Sequence, residues 1–329
     1  MDDVMNLLRD AERGKIGRRQ LLQALGLTAT AGFVSGWPKA ASAGQVVKGA
    51  AGKTFPVTTM NHLSYAVTVP YTKVRDWYID LLGMTCVWDD TTKCEVDFGS
   101  PVNGIYITQG KPDAKPNVGH FGLGIENFMA HKMDMKAEMD RRGLANIRPD
   151  GDHGWISDDP AGYMLNTWIP VRDPAMFPGA AGPCVEADSQ KCKDAFEAGH
   201  KNLASIPKPS GKGFKATAYS MISFRVPPGT RDKEKEFYTN ALGMKVVSDT
   251  PDELVLRFGQ NTLNIRNGQG ADGKPVCDSF GFLIANYDHA KVKAELDRRG
   301  LNPKEVSNTA WGITDPAGYP IEIAGKSST

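Results

Sequence analysis

The residues best suited to chemistry near neutral pH are six histidines, and two of them sit in strand-like runs: His62 in HLSYAVTV and His120 in HFGLGIEN. An imidazole titrates close to neutrality and, when neutral, offers a nitrogen lone pair to a proton or a metal ion. His153 lies in GDHGWISDDP at the start of a further short strand, where it reads as an acid–base catalyst or as a loop-surface residue. His131 and His289 fall in helical stretches and His200 in a linker, and none of these is assigned chemistry. A strand histidine also serves as a polar group hydrogen-bonded to backbone, so residue type alone leaves both uses open. The five cysteines contain no CxxC pair, which leaves a zinc ribbon or a thioredoxin-type motif unsupported. Cys184 and Cys192 are close in sequence and form a bridge or remain free thiols according to the compartment. Tyr65, Tyr106, Trp155 and Trp168 either wall a pocket for a planar or apolar ligand or belong to an ordinary core.

The elements that must position these residues come twice. WYIDLLGM (77–84) returns as FYTNALGM (237–244), MKAEMDRRGL (135–144) as VKAELDRRGL (292–301), and DPAGY stands at 159–163 and 315–319. Three matched blocks in one order identify a duplication, with halves at 57–170 and 216–324 and a Pro-, Gly- and Lys-containing linker at 171–215. Within the first half, HLSYAVTV alternates like a half-buried strand, and a helix over Tyr71–Leu82 is stopped by Gly83. Short strands are expected around Thr85–Trp88, Cys94–Phe98 and Gly104–Thr108. The order then restarts with HFGLGIEN, a helix over Ala130–Arg142, and strands near Asn146–Pro149, Gly154–Ser157 and Met164–Trp168. Phe128, Met135 and Met139 fall on one stripe, as do Ala285, Val292 and Leu296, whereas Lys136–Glu138 and Arg141–Arg142 read as a solvated face. The linker is expected to carry a short helix around Glu186–Ala198 and is long enough to cover a face or a pocket. Each half is thus a βαβββ–βαβββ pair, with helices on one face of mixed sheets, an α+β class of two tandem domains. The DPAGY blocks read as structural turns into the last strand.

NHLSYAV, the two LGM helix ends, HFGLGIEN and the DPAGY-led terminal strands resemble the vicinal oxygen chelate superfamily, which includes glyoxalase I, bleomycin-resistance proteins and extradiol dioxygenases. The resemblance covers both halves. It implies a cup holding a divalent metal (iron, manganese or zinc) on the first strand, the strand opening the second unit, and the last strand. Carried over, these positions are His62, His120 and Asn166 in the first half, and Met221, Ser279 and Glu322 in the second. Pairing of units within a half joins the two histidines. Exchange between halves separates them, giving His62, Ser279 and Glu322 in one cup and Met221, His120 and Asn166 in the other. The expectation is therefore one site in the first half, with the second half mainly structural. Asn166 departs from the pattern, because an amide oxygen brings no charge against a divalent ion. The anionic ligand would come from substrate, water or a neighbour such as Asp158 or Asp97.

The near balance of 39 basic and 38 acidic residues, with no long basic run, points away from nucleic acid and towards a small-molecule partner. Arg18–Arg19, a diluted apolar stretch from Leu21 to Val34 and Ala41-Ser42-Ala43 occur in the order of a twin-arginine export signal. Residues 1–43 are thus expected to be removed, leaving a periplasmic or secreted chain without a membrane span. The resemblance implies a metal-dependent dioxygenase or a glyoxalase-type lyase or isomerase acting on a small oxygenated molecule. Its alternative is a metal-free binding protein of the bleomycin-resistance kind, and a third reading is a structural partner without a ligand.

Overall fold

The computed structural model describes residues 52–100, 102–151, 153–170 and 190–326. The expected export signal (residues 1–43), Cys184 and the side chain of Cys192 lie outside the described residues. The described residues within Val47–Thr329 form one compact unit that contains both halves.

The first half runs β1 (Val57–Val67), α1 (Tyr71–Leu82), β2 (Thr85–Asp89), β3 (Lys93–Phe98), β4 (Asn103–Gln109), β5 (Asn117–Ile125), α2 (Phe128–Arg142), β6 (Arg148–Asp150), β7 (Gly154–Asp158) and β8 (Met164–Trp168). Its strands form one mixed sheet in the order β2-β3-β4-β1-β5-β8-β7-β6. Strand β1 is parallel to β4 and antiparallel to β5, while β5 is parallel to β8. Both βαβββ units of the half therefore share one sheet, and the first strands of the two units lie side by side at its centre. Helix α1 ends where the sequence stops it: Gly83 takes φ +63° and its N–H bonds Ile79 O, a left-handed turn that a side chain disfavours.

The linker helix α3 (Gln190–Lys201) leads into the second half. That half comprises β9 (Ala216–Val226), α4 (Arg231–Glu236) with a π-type turn at Phe237–Ala241, β10 (Lys245–Asp249), β11 (Glu253–Phe258) and β12 (Asn261–Asn267). It continues with β13 (Val276–Ile284), α5 (His289–Arg298), β14 (Lys304–Ser307), β15 (Ala310–Thr314) and β16 (Pro320–Ala324). The second sheet repeats the first order, β10-β11-β12-β9-β13-β16-β15-β14. Helix α3 covers edge strand β2, with Gly199 against the Trp88 indole and Asn202 Nδ2 donating to Asp89 O at 2.9 Å. The linker thus protects an exposed strand edge.

One hydrophobic core runs through both halves. Rings cross the seam between them: Tyr163 stacks on Phe224 at 5.5 Å and Tyr65 meets Phe280 edge-on at 5.8 Å. Such pairs add about 0.5–1.5 kcal/mol each beyond the area they bury. The DPAGY turns do more than turn. Asp315 accepts the hydroxyls of Tyr65 (2.7 Å) and Tyr78 (3.3 Å), and Asp159 accepts that of Tyr238 (3.1 Å), so each aspartate binds the opposite half.

Two expectations about helices are corrected. Glu138 is buried, not solvated, because it gathers Arg141 and Arg142 in charge-assisted hydrogen bonds on the helix face. Ala285 lies ahead of α5 and bonds Lys215 O through its N–H, so the buried stripe there is Val292 and Leu296.

Candidate functional site

His62 is fixed by its neighbour in sequence. Asn61 donates Nδ2–H to Ile169 O at 2.9 Å, which leaves its Oδ1 facing His62 Nδ1 at 2.8 Å. An oxygen can only accept, so Nδ1 carries a proton and the lone pair of the neutral ring is on Nε2. The imidazole fits because strand β5 has no side chain beside it. A Cβ on Gly122 would lie 2.2 Å from the ring and 2.5 Å from Asn61 Oδ1.

His120, on β5, brings its ring centroid to 5.4 Å from that of His62 at an interplanar angle of 80°. Desolvation pushes its pKa down to about 4; the charge of Arg148 acts in the same direction and that of Asp150 opposes it. Burial thus leaves His120 neutral at pH 7, the form that donates a lone pair. An acid sensitivity follows. Unfolding restores an ordinary histidine, so the unfolded chain binds the proton more tightly between about pH 6.5 and 4, and stability falls as pH drops through that window. Replacing His120 by Gln should remove a loss of up to about 3 kcal/mol across that range, read from urea midpoints at pH 7 and pH 4.

Asn166, on β8, completes the group. Its Nδ2 donates to Asp150 Oδ2 at 2.8 Å and faces His62 Nε2 at 3.4 Å, while its buried Oδ1 has no partner. Tyr106 and Trp168 pack edge-on against His62, at 5.6 and 4.8 Å. His153 stacks on Trp168, with the two ring centroids 4.8 Å apart. The structure therefore brings together His62, His120 and Asn166, and places His153 one indole away from them. Tyr65 and Trp155 belong elsewhere: Tyr65 in the seam, and Trp155 with its Nε1 donating to Lys132 O at 2.9 Å.

Asp158, considered as a source of charge, is turned away and accepts from Asn146 Nδ2 at 2.6 Å. Asp97 stands in register with His62 but two strands off, across Gly104. The carboxylate that does reach the group is Asp150, in RPDGDHG, and nothing in the spacing of that turn announces it. Asn61 was equally silent, since its role depends on a carbonyl more than 100 residues away. In the second half, Met221 and Ser279 hold the histidine positions, and Glu322 is bonded by Ser220 at 3.3 Å with its pKa raised by burial. A surface depression of about 260 Å³ lined by Lys53, Phe55, Glu126 and His131 includes none of these residues.

Among the described residues no three His, Cys, Asp or Glu side chains converge as a metal site. The third group here is an amide. Even so, two imidazoles, one with its lone pair oriented and one neutral, and an unpartnered buried carbonyl oxygen fit a borderline divalent ion.

No family model matches the sequence, and no curated protein does. Solved structures do match the fold. A Mn(II)-bound glyoxalase from Novosphingobium aromaticivorans aligns over 83% of this chain and 83% of its own, at TM-score 0.57 and 15% identity. The 2,3-dioxygenase LapB from Pseudomonas sp. KL28 aligns over 83% of this chain and 93% of its own (TM-score 0.59, 13% identity). Homoprotocatechuate 2,3-dioxygenase from Brevibacterium fuscum aligns over 85% and 83% (TM-score 0.58, 15% identity). The chain has the vicinal oxygen chelate fold. The two units of each half pair with each other, which is what sets His62 beside His120.

Proposed function

We propose that the first-half cup is the working site of an exported, divalent-metal-dependent enzyme acting on a small oxygenated molecule. The reaction class is that of its neighbours, dioxygenase or glyoxalase-type lyase or isomerase. His62 and His120 would hold the ion, with Asn166 Oδ1 as a neutral third donor. When bound, such an ion polarises a substrate oxygen and makes its proton easier to remove. Around it the chain's own groups have separate tasks. Asn61 fixes the His62 tautomer, and the rings of Tyr106 and Trp168 exclude water beside it. His153, stacked on Trp168 beside the cup, is the group assigned to take up and return the proton. Asp150, held by Asn166, lends the negative charge that the amide lacks.

The observation that carries this reading is the Asn61–His62 bond, because an imidazole whose far nitrogen is pinned presents the near one for use. One observation favours the metal-free alternative, a ligand-binding cup: Asn166 Nδ2 already faces the His62 lone pair.

Metal content of the mature chain, Gly44–Thr329, purified after export from cells with a working twin-arginine system, separates the two. About one iron, manganese or zinc per chain, lost in His62→Ala, is the expected result. A wild-type chain that takes up none of these ions on titration supports the binding protein and ends the chelate mechanism.

A further inference from the structure

The repeat creates two seams between the halves, and they are not alike. In one, Asp315 Oδ1 accepts the N–H groups of Ala317 and Tyr319, and Oδ2 accepts the hydroxyls of Tyr65 and Tyr78. In the other, Asp159 Oδ1 accepts the N–H groups of Ala161 and Tyr163, and Oδ2 the hydroxyl of Tyr238. The repeat counterpart of Tyr65 is Phe224, which has no hydroxyl to give. The counterpart of Val74 is Glu234, which is fully buried against Asp159 and whose two oxygens receive no hydrogen bond from any other side chain. One seam thus has a tyrosine and a valine where the other has a phenylalanine and a glutamate.

We propose that Glu234 and Asp159 share a single proton in the folded chain, and that this proton closes the second seam in place of the missing tyrosine hydroxyl, so that the seam weakens as pH rises. Two buried carboxylates in contact cannot both be charged without a cation. The groups acting on the pair are each other, Tyr163, Tyr238 and the backbone of Ala161, with no lysine, arginine or histidine among them. Burial, the largest cause for each, raises both carboxyls well above the ordinary carboxylate range. Both are raised, so the folded chain binds protons more tightly than the unfolded one. The stability this gives is fully present below pH 4 and drains away as pH rises through the pair's raised titration.

Urea unfolding followed by tryptophan fluorescence at pH 7, 8 and 9 tests this. The wild-type folding constant is expected to fall about tenfold per pH unit. In Glu234→Gln the amide donates without titrating, so the fall is flattened and the variant overtakes wild type at pH 9. The double change Phe224→Tyr with Glu234→Val copies the other seam and should flatten the fall equally. Slopes that run parallel in wild type and either folded variant overturn the proposal. Should neither variant fold, the infrared carbonyl stretch of a protonated carboxyl in wild type at pH 8 decides, and its absence overturns the proposal.

Discussion

Asn166→Asp is expected to lower the stability of the metal-free chain and to raise its affinity for Mn(II) or Fe(II) at least about tenfold. The argument starts from the contact that the change destroys. Asn166 Nδ2 donates to Asp150 Oδ2 at 2.8 Å, and the residue is almost wholly buried. With an aspartate there, two carboxylates meet, one must take a proton or swing away, and the loss is on the order of 1–3 kcal/mol. A divalent ion reverses the sign. Unit charges about 4 Å apart are worth about 4 kcal/mol at an effective dielectric of 20, well above the 1.4 kcal/mol that makes a factor of ten. Melting with and without Mn(II) reads both effects together: the apo midpoint drops and the metal-induced gain grows. A variant destabilised to the same extent with and without metal would instead place the site with metal-free binding proteins, where Asn166 works as a donor to His62 and Asp150.

Most of the architecture was open to reading because the chain states it twice. Residues such as the LGM helix ends and the DPAGY turns carry local physics: Gly83 must take a positive φ, and Pro and Gly shape the turn. The alternation in HLSYAVTV marks a strand, although β1 begins five residues earlier, at Val57, where apolar and polar residues no longer alternate cleanly. What stayed hidden depends on distant partners. Glu138 looks solvated in a charged helix face until Arg141 and Arg142 fold over it. Asp150 sits in a turn whose composition fits any surface loop, and only strand pairing carries it to Asn166. Asn61 is legible as a polar neighbour of His62, but its function rests on Ile169 O. The aromatic candidates divide on the same ground. Tyr106 and Trp168 alternate towards the cup, whereas Tyr65 points into a seam that exists only because a second half is present.

The duplication also supplies an internal control for the largest steric effect at the site. Gly122→Ala is expected to expel the His62 imidazole, because the new Cβ would lie 2.2 Å from its ring and 2.5 Å from Asn61 Oδ1, the atom that fixes its tautomer. Neither neighbour can yield freely, since Asn61 is also held by Ile169 O and both residues are buried. Overpacking of this kind costs about 1–3 kcal/mol. At the matching place in the second half, a Cβ on Gly281 would lie 2.3 Å from Ser220 Oγ and 2.8 Å from Glu322 Cβ. Gly281→Ala should therefore cost a similar amount of stability, measured as the shift in urea midpoint, without touching an imidazole. The two variants part at the site. Metal or ligand binding is lost in Gly122→Ala, as in His62→Ala, and is kept in Gly281→Ala at any urea concentration where both remain folded. Equal loss of binding in the two would mean that the second cup takes part, and the assignment of function to the first half alone would fall.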